Sequence, residues 1–520
     1  MMQHRIRRIA FVVFWVALFA RAGPGGAPDG RTLATVLLGR ALTEAESQNP
    51  HALWAAVEAH DEVLADWLRQ DLAPLTGPEL VGSADGLTRF LSAVATVSGM
   101  PAEEVGAGSR EAALVAYRAA CAQRRARRLA RVKAEFPRLV YARHFVMGGS
   151  HYAYTEALSD AQSERSFRAG GQLCLAEWRD GGLWHETVLT ETKEGVIRDA
   201  DVDDDGRAIL FALKRSDRDD DYHLYEMDAA TRNIRPLTEG LGIADYEGCY
   251  LPDGRILFNS TRCMQIVDCW WTEVSNLYRC DRDGRNILRM TFDQVHLNYP
   301  SVTSDGRVLY TRWEYNDRSQ MYPQPLFQML PDGTAQSAVY GENSWFPTTI
   351  IHARGIPGSG KIFAIATGHH SRQPGKLILI DPARGRQEAE GVTLVAPVRP
   401  TKSVIIDAYG QDGDLFAYPY PIDERTLLVT YNPDGWTKVD GKRHEDRMTG
   451  FGVYWMDIDG QRELLVSRRG LACGRARCRC ARARVRRPVR ALWTTPVQPA
   501  PSMCRMFMRG RPWTAWRVAR

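Results

Sequence analysis

The chain has 520 residues, of which 44% are hydrophobic and 25% are charged. This balance is typical of globular proteins and excludes a wholly disordered, collagen-like or polytopic membrane chain. The net charge of +5 is unevenly distributed, because residues 468–520 contain 15 Arg and no acidic residue. Subtracting 15 from +5 leaves residues 1–467 with a net charge of −10. An acidic body argues against nucleic acid as a partner.

The N-terminus has the pattern of an export signal. Arg5, Arg7 and Arg8 precede an apolar run over residues 9–20, and small residues lead up to Gly23. This order predicts a signal peptide over residues 1–22, with a Gly- and Pro-rich linker over 23–30. The apolar run is too short to cross the hydrocarbon core as a helix, and an uncleaved anchor is the alternative. We therefore expect a periplasmic or extracellular protein that is not an integral membrane protein after cleavage.

Residues 31–136 have helical periodicity. Apolar residues recur every three or four positions, which predicts a small α-helical domain. The last helix of this domain is basic in its C-terminal half, where Arg124, Arg125 and Arg128 lie. Two interpretations are open: contact with an anionic surface, or a solvated face whose cations lie near the negative end of the helix dipole.

From residue 137 the pattern changes to short strands separated by turns. Asp-Gly turns ending at Gly206, Gly254 and Gly306 each precede a short run of apolar residues typical of a strand, at intervals of 48 and 52 residues. About four strands per repeat of this length is typical of a β-propeller blade. We predict an all-β six-bladed β-propeller with TolB-like or WD-repeat-like blades over residues 137–467. The six predicted blades cover 139–190, 199–238, 246–293, 298–340, 346–398 and 415–467.

The first predicted blade lacks an innermost strand, and a strand from beyond residue 467 would be the natural closure. Residues 468–520 are Arg-rich and show no clear strand periodicity. The sequence favours a disordered tail produced by a frameshift near residue 475, which would have replaced the closing strand. The alternative is a basic tail that binds nucleic acid or membrane.

The repeat also predicts which face of the propeller carries function. The Asp-Gly turns lie on one face and are short, whereas the loops of the opposite face are long and rich in polar and aromatic residues. Such loops on a rigid scaffold are where binding sites form. The candidate ligand-binding residues are His151, Tyr152, Arg198, Asp199, Trp270, Trp271, His296, Tyr299, Arg312 and Asp317. Because arginine presents a planar fork of donors, Arg198 and Arg312 predict a small anionic or polar ligand.

Two further constellations lie in these loops. His151, His296, His369 and His370 are possible ligands of a divalent metal, and hydrogen-bonded structural histidines are the alternative. Cys263 and Cys269 lie six positions apart in one loop and predict a disulfide in an exported protein.

Several long loop motifs resemble a known family. The runs GGSHYAYTEALSDAQSER (148–165), FNSTRCMQIVDCWWTEVSNLYRCD (258–281), NYPSVTSDGRVLYTRWEYNDR (298–318) and ATGHHSRQPGKLILIDP (366–382) are similar to the middle propeller domain of the hydrazine synthase alpha subunit family. The resemblance covers roughly residues 137–467. It implies the fold, an extracytoplasmic setting and a redox partner such as a c-type cytochrome. Flanking domains of that family carry c-type haem, whereas this sequence contains no C-x-x-C-H motif for covalent haem attachment.

Two hypotheses of function follow from the sequence. The first is a binding or accessory module in an extracytoplasmic redox system, without its own c-type haem. The second is a metal-dependent enzyme with a His-lined site at the mouth of the propeller channel. The sequence leaves open whether the chain is an enzyme.

Overall fold

The computed structural model describes residues 32–145, 169–216, 221–267, 273–315, 323–369, 371, 373–403, 409–436 and 450–468, together with the backbone alone of 438–439, 442–443 and 477–480. The predicted signal peptide and linker lie outside these residues. So do the site candidates His151, Tyr152, Cys269, Trp270, Trp271, Asp317 and His370.

Residues 32–136 form a small helical domain, as predicted. Its helices are α1 (Leu33–Leu38), α2 (Glu44–Gln48), α3 (Pro50–His60), α4 (Glu62–Asp71), α5 (Gly77–Gly82), α6 (Ala84–Ser98), α7 (Ala102–Ala107) and α8 (Arg110–Glu135). The side chains of Asn49, Asp61 and Ser109 accept backbone hydrogen bonds at the starts of α3, α4 and α8. These caps satisfy amides that have no partner within the helix, which explains why these helices begin where they do.

Six antiparallel sheets follow as the blades of a propeller, and the predicted fold class is confirmed. From the centre outward, blade 1 contains β27 (Arg477–Cys480), β1 (Arg138–His144), β2 (Gly171–Glu177) and β3 (His185–Thr192); blade 2 contains β4 (Val196–Val202), β5 (Ala208–Lys214), β6 (His223–Asp228) and β7 (Ile234–Pro236). Blade 3 contains β8 (Asp245–Tyr250), β9 (Ile256–Ser260), β10 (Asn276–Cys280) and β11 (Leu288–Arg289); blade 4 contains β12 (Leu297–Val302), β13 (Val308–Arg312), β14 (Leu326–Met329) and β15 (Ser337–Tyr340).

The last two blades carry small additions. Blade 5 contains β16 (Thr349–Gly355), β17 (Ile362–Thr367), β18 (Lys376–Ile380), β19 (Val392–Leu394) and the short β20 (Arg399–Pro400). Blade 6 contains β21 (Leu415–Pro421), β22 (Thr426–Asn432), β25 (Gly452–Asp457) and β26 (Arg462–Val466), with a hairpin of β23 (Lys438–Val439) and β24 (Lys442–Arg443) between its second and third strands. Strand order places Gly254 and His369 on opposite faces, as the sequence predicted, because one follows an innermost strand and the other follows a second strand.

The closing strand is the main correction to the sequence analysis. The tail was expected to form no closing strand, but β27 pairs antiparallel with residues 141–144 of β1. The Arg-Cys-Arg-Cys sequence of β27 alternates with a period of two, a strand signal that the high Arg content of the tail obscures. The exposed inner edge of β1 offers unpaired backbone groups to any extended segment of sufficient reach. The expectation is therefore wrong for residues 477–480, and residues 469–476 and 481–520 lie outside the described residues.

The basic half of α8 contacts an anionic surface that belongs to this same chain. Arg125 and Arg128 form ion pairs with the fully buried carboxylate of Glu463 on β26, at 3.4 and 2.8 Å. Arg124 pairs with Asp71 at 2.7 Å. Of the two interpretations, the solvated face is wrong for these three residues, because Arg125 and Arg128 dock on the outer edge of blade 6 and Arg124 is paired within the helical domain.

Candidate functional site

The innermost strands of blades 2–6 share one irregularity, which lies at the central channel. Each contains a β-bulge at which two of its residues face one residue of the neighbouring strand. The first residue of each bulge has a positive φ, although none is glycine. These residues, which we call the bulge ring, are Asp199 (54°), Glu247 (53°), Tyr299 (58°), His352 (53°) and Tyr418 (50°).

This backbone conformation is costly for the residue types that adopt it. A left-handed non-glycine residue costs about 1–3 kcal/mol, and such residues cluster at binding and catalytic sites. A bulge also redirects the side chain that it carries. In blade 1, by contrast, the pairing of residues 477–480 with β1 runs without a bulge. Five repetitions of the same strained position around one axis therefore mark the channel as the candidate site.

Hydrogen bonds link the bulge ring from blade to blade. The backbone N–H of Glu247 donates to Oδ2 of Asp199 at 3.2 Å, and the N–H of Tyr299 donates to Oε2 of Glu247 at 2.6 Å. The N–H of Tyr418 donates to Nδ1 of His352 at 3.4 Å. Each of these side chains thus accepts from the bulge of the next blade, which fixes both the side chain and the spacing between blades.

A buried arginine supports the acidic part of the ring. Arg198 is fully buried and forms ion pairs with Asp199 and, at 3.0 Å, with Glu247. Its guanidinium lies over the rings of Tyr222 and Tyr246, 5.4 and 5.0 Å from their centroids. The positive charge of Arg198 is therefore directed at the protein's own carboxylates, and this geometry does not support its predicted role in selecting an anion.

The other part of the ring is aromatic. The rings of Tyr299 and His352 meet edge to face, with centroids 4.7 Å apart. The rings of His352 and Tyr418 lie 3.7 Å apart with planes tilted by 30°. The hydroxyl of Tyr418 donates to Oε1 of Gln373 at 2.8 Å. These contacts hold three aromatic rings together on blades 4, 5 and 6, whereas the carboxylates of the ring belong to blades 2 and 3.

A cavity that opens to solvent lies against the bulge ring. Apart from the ring, its lining includes Asp201, Cys249, Arg354 and Tyr420, all of which follow a bulge in their strand. The innermost strands run toward the face of the Asp-Gly turns. The cavity thus extends from the middle of the channel toward that face, whereas the sequence placed the site at the mouth among the long loops.

Two of the four candidate metal ligands lie together on the long-loop face. His296 is stacked on Trp313 with centroids 5.9 Å apart, and His369 packs on the same indole at 5.2 Å. Nδ1 of His296 accepts the backbone N–H of Ser275 at 3.1 Å, and burial lowers the pKa of this imidazole to about 3. Within the described residues, no group of three or more His, Cys, Asp and Glu side chains is arranged to hold a metal ion.

The other predicted residues that the structure describes have local partners. Nε of Arg312 lies 2.9 Å from Oδ1 of Asp293 and the guanidinium covers the ring of Phe327, away from the cavity. The thiol of Cys263 donates to the carbonyl of Val274 at 3.1 Å. No two cysteines of the described part of the chain lie at disulfide distance, and Cys269 falls outside it.

Sequence reasoning selected Arg198, Asp199 and Tyr299 but missed His352 and Tyr418. A signal for them exists, because each bulge residue is followed by Ala, Gly or Pro in the same position of its strand. The pairs are Asp199-Ala200, Glu247-Gly248, Tyr299-Pro300, His352-Ala353 and Tyr418-Pro419. The pattern is visible only after the five innermost strands have been aligned.

Comparisons with known proteins give fold similarity alone. No family model matches the sequence, and no curated protein matches it either. A Kuenenia stuttgartiensis hydrazine synthase structure has a TM-score of 0.49 and 15% identity, covering 68% of this chain and 48% of that one. TolB from Acinetobacter baumannii has a TM-score of 0.41 and 16% identity, covering 74% of each chain. The β-propeller domain of a Pyrococcus furiosus protease has a TM-score of 0.32 and 15% identity, covering 57% of this chain and 74% of that domain.

The match thus spans about half the length of the hydrazine synthase chain. Among the helices of the described residues, none has the length and apolar character needed to cross a bilayer.

Proposed function

We propose that this protein is a binding module whose small polar ligand occupies the propeller channel at the bulge ring. The observation that carries the proposal is the fivefold repetition of a strained non-glycine residue beside one cavity. Strain of about 1–3 kcal/mol per residue persists only where the surroundings impose it, and it serves to place side chains that unstrained strands would not present. The hydrogen bonds between blades hold these side chains before a ligand arrives, which reduces the ordering cost of binding.

The biological setting of the module is part of the same proposal. The predicted signal peptide supports export to the periplasm or beyond, and the loop motifs similar to the hydrazine synthase alpha subunit family support a redox context. The propeller would then act as an accessory subunit without its own c-type haem, and a c-type cytochrome is the class of partner that the resemblance implies.

One observation favours the alternative of a metal-dependent enzyme. His296 and His369 both pack on Trp313, which brings two candidate ligands to one aromatic cluster of the long-loop face. A metal found by elemental analysis in the purified full-length chain, and lost in the His369→Ala variant, would favour this alternative over a binding module.

Thermal unfolding of the full-length protein with a panel of small ligands tests the channel as the binding site. A ligand at 100 times its dissociation constant stabilises the folded state by about 2.7 kcal/mol. We expect at least one ligand to stabilise the wild type and to lose its effect in His352→Ala. The matched control is His185→Ala, on the exposed outer strand of blade 1, which should keep the full effect. Equal stabilisation of both variants would place the ligand elsewhere.

A further inference from the structure

We infer that the channel takes a small organic cation, such as a quaternary ammonium or an amine. This inference rests on the proposed function, because it names the ligand class of the same cavity. Three acidic residues line the cavity, Asp199, Asp201 and Glu247. Two guanidiniums balance them, Arg354 in the lining and Arg198 behind it. Counting these carboxylates and guanidiniums alone, the described residues of the site carry one net negative charge.

The arrangement of these charges matters more than their sum. Arg198 contacts Asp199 and Glu247 but does not line the cavity, whereas both carboxylates do. At the level of the bulge ring, the charged residues of the lining are therefore Asp199 and Glu247, with Arg198 behind them and Arg354 two positions past the bulge of blade 5. This order disfavours an anion and reverses the ligand charge that the sequence predicted from Arg198.

The aromatic part of the ring is the second, independent feature. Tyr299, His352 and Tyr418 line the cavity from blades 4, 5 and 6, whereas the acidic residues of the lining are on blades 2 and 3. The face of an aromatic ring attracts a cation within about 6 Å of its centroid, and tyrosine is one of the preferred partners. A cation between the two parts is stabilised from both sides, which neither an anion nor a neutral solute achieves.

The chemistry of the lining also separates an organic cation from a metal ion. Calcium takes about six to eight oxygen ligands, and magnesium demands octahedral oxygen geometry. The carboxylates here are instead on one side of the channel and already accept the backbone N–H groups of Glu247, Tyr299 and Tyr250.

Isothermal titration of the full-length protein with three probes of similar size tests the inference. The probes are benzyltrimethylammonium, benzyl alcohol and benzoate, with sodium chloride and calcium chloride titrated separately. We expect the ammonium probe to bind at least about tenfold more tightly than the alcohol, and benzoate to bind least. Raising the ionic strength should weaken the ammonium probe only, because salt screens its attraction to the carboxylates.

Two variants locate the interaction. Glu247→Gln should weaken the ammonium probe about tenfold, and Tyr418→Leu should weaken it while leaving the carboxylates in place. The matched control is Glu226→Gln, because Glu226 is a buried carboxylate between blades 2 and 3 that bonds to Tyr250 and Arg235 and does not line the cavity. Circular dichroism establishes whether each variant is folded. If Glu247→Gln does not fold, the affinity of Tyr418→Leu still decides the test.

Each outcome has one meaning. If none of the probes binds, the channel is not a site for small molecules and the proposed function fails with the inference. If benzoate or the alcohol binds more tightly than the ammonium probe, the channel is a binding site but the inferred charge is wrong. Binding of calcium or sodium in place of the organic probe would also overturn the inference, as would ammonium affinity that Glu247→Gln and Tyr418→Leu both leave unchanged.

Discussion

At the scale of single residues, the channel is shaped by five residues that carry a side chain and yet have a left-handed backbone conformation. Glu247 and Tyr299 have ordinary strand neighbours, and nothing in their local propensity predicts a positive φ. The conformation is imposed by the bulge and by hydrogen bonds from the next blade. A local rule that is broken in the same way five times indicates a constraint from tertiary structure, which is expected at functional sites.

The buried imidazole of His296 links the stability of the fold to pH. Burial lowers its pKa from 6.5 to about 3, so the unfolded chain takes up a proton at a pH where the folded chain does not. The contribution of the neutral His296 imidazole to the stability of the fold is therefore complete above pH 6.5 and is lost as the pH falls from 6.5 toward 3. We expect the free energy of unfolding to fall by about 1.4 kcal/mol per pH unit in this window because of His296.

The measurement is urea denaturation of wild type and His296→Gln from pH 7 to pH 4. Glutamine retains an acceptor for the N–H of Ser275 but does not titrate, so subtracting the two curves isolates the contribution of His296. We expect the difference to shrink as the pH falls. Two parallel curves would contradict the assignment of this pH dependence to His296.

At the scale of elements, the helical domain is attached to the propeller through a buried charge. Glu463 on β26 is fully buried, and it accepts hydrogen bonds from Nε1 of Trp67 and from Arg128, both at 2.8 Å, with Arg125 at 3.4 Å. Removing one member of a buried ion pair leaves the other charge without compensation, at a cost of about 3–5 kcal/mol. We expect Glu463→Gln to lower the free energy of unfolding by that amount in chemical denaturation.

The matched control lies on the same blade. Asp459 pairs with Arg425 at 2.6 Å, but both side chains are largely exposed. Exposed pairs contribute about 0–1 kcal/mol, so Asp459→Asn should leave the unfolding midpoint almost unchanged. Equal effects of Glu463→Gln and Asp459→Asn would show that the contact between α4, α8 and β26 adds little to stability.

The elements also show how far sequence reasoning reaches. The blades were predictable because Asp-Gly turns recur at regular intervals, so the predicted blade over 298–340 matches strands from Leu297 to Tyr340. The docking of α8 on blade 6 was not predictable from the sequence, because Arg125 and Glu463 are 338 positions apart and no local pattern joins them. The site was found in part: Arg198 and Asp199 belong to it, whereas the position of the cavity depends on how five strands align around the axis.

At the scale of the whole molecule, the propeller is closed by joining segments from far apart in the chain. Blade 1 takes β1, β2 and β3 from the region after the helical domain and takes its innermost strand from residues 477–480. Without β27, the inner edge of β1 would be exposed beside β4 of blade 2 and β21 of blade 6. Since a circular propeller leaves neither end blade free, closure stabilises all six blades together.

Truncation separates a genuine closing strand from the frameshift hypothesis. The comparison uses the full chain, a chain that ends at Cys480 and a chain that ends at Arg468, measured by denaturation and by hydrogen exchange. If β27 is genuine, the chain ending at Cys480 should unfold like the full chain. The chain ending at Arg468 should unfold at lower denaturant and exchange faster at the amides of residues 141–144, because these lose their backbone partners.

The frameshift hypothesis predicts the opposite result for the shorter chain. If residues beyond about 475 are read out of frame, the strand that evolved to pair with β1 is missing, and removing residues 469–520 should change neither the unfolding midpoint nor the exchange of β1. Resequencing the gene is the independent check, and a chain with the frame restored should then be more stable than the full chain. Slower exchange at residues 141–144 in the full chain than in the chain ending at Arg468 would contradict this expectation, because it would show that the segment beyond Arg468 pairs with β1.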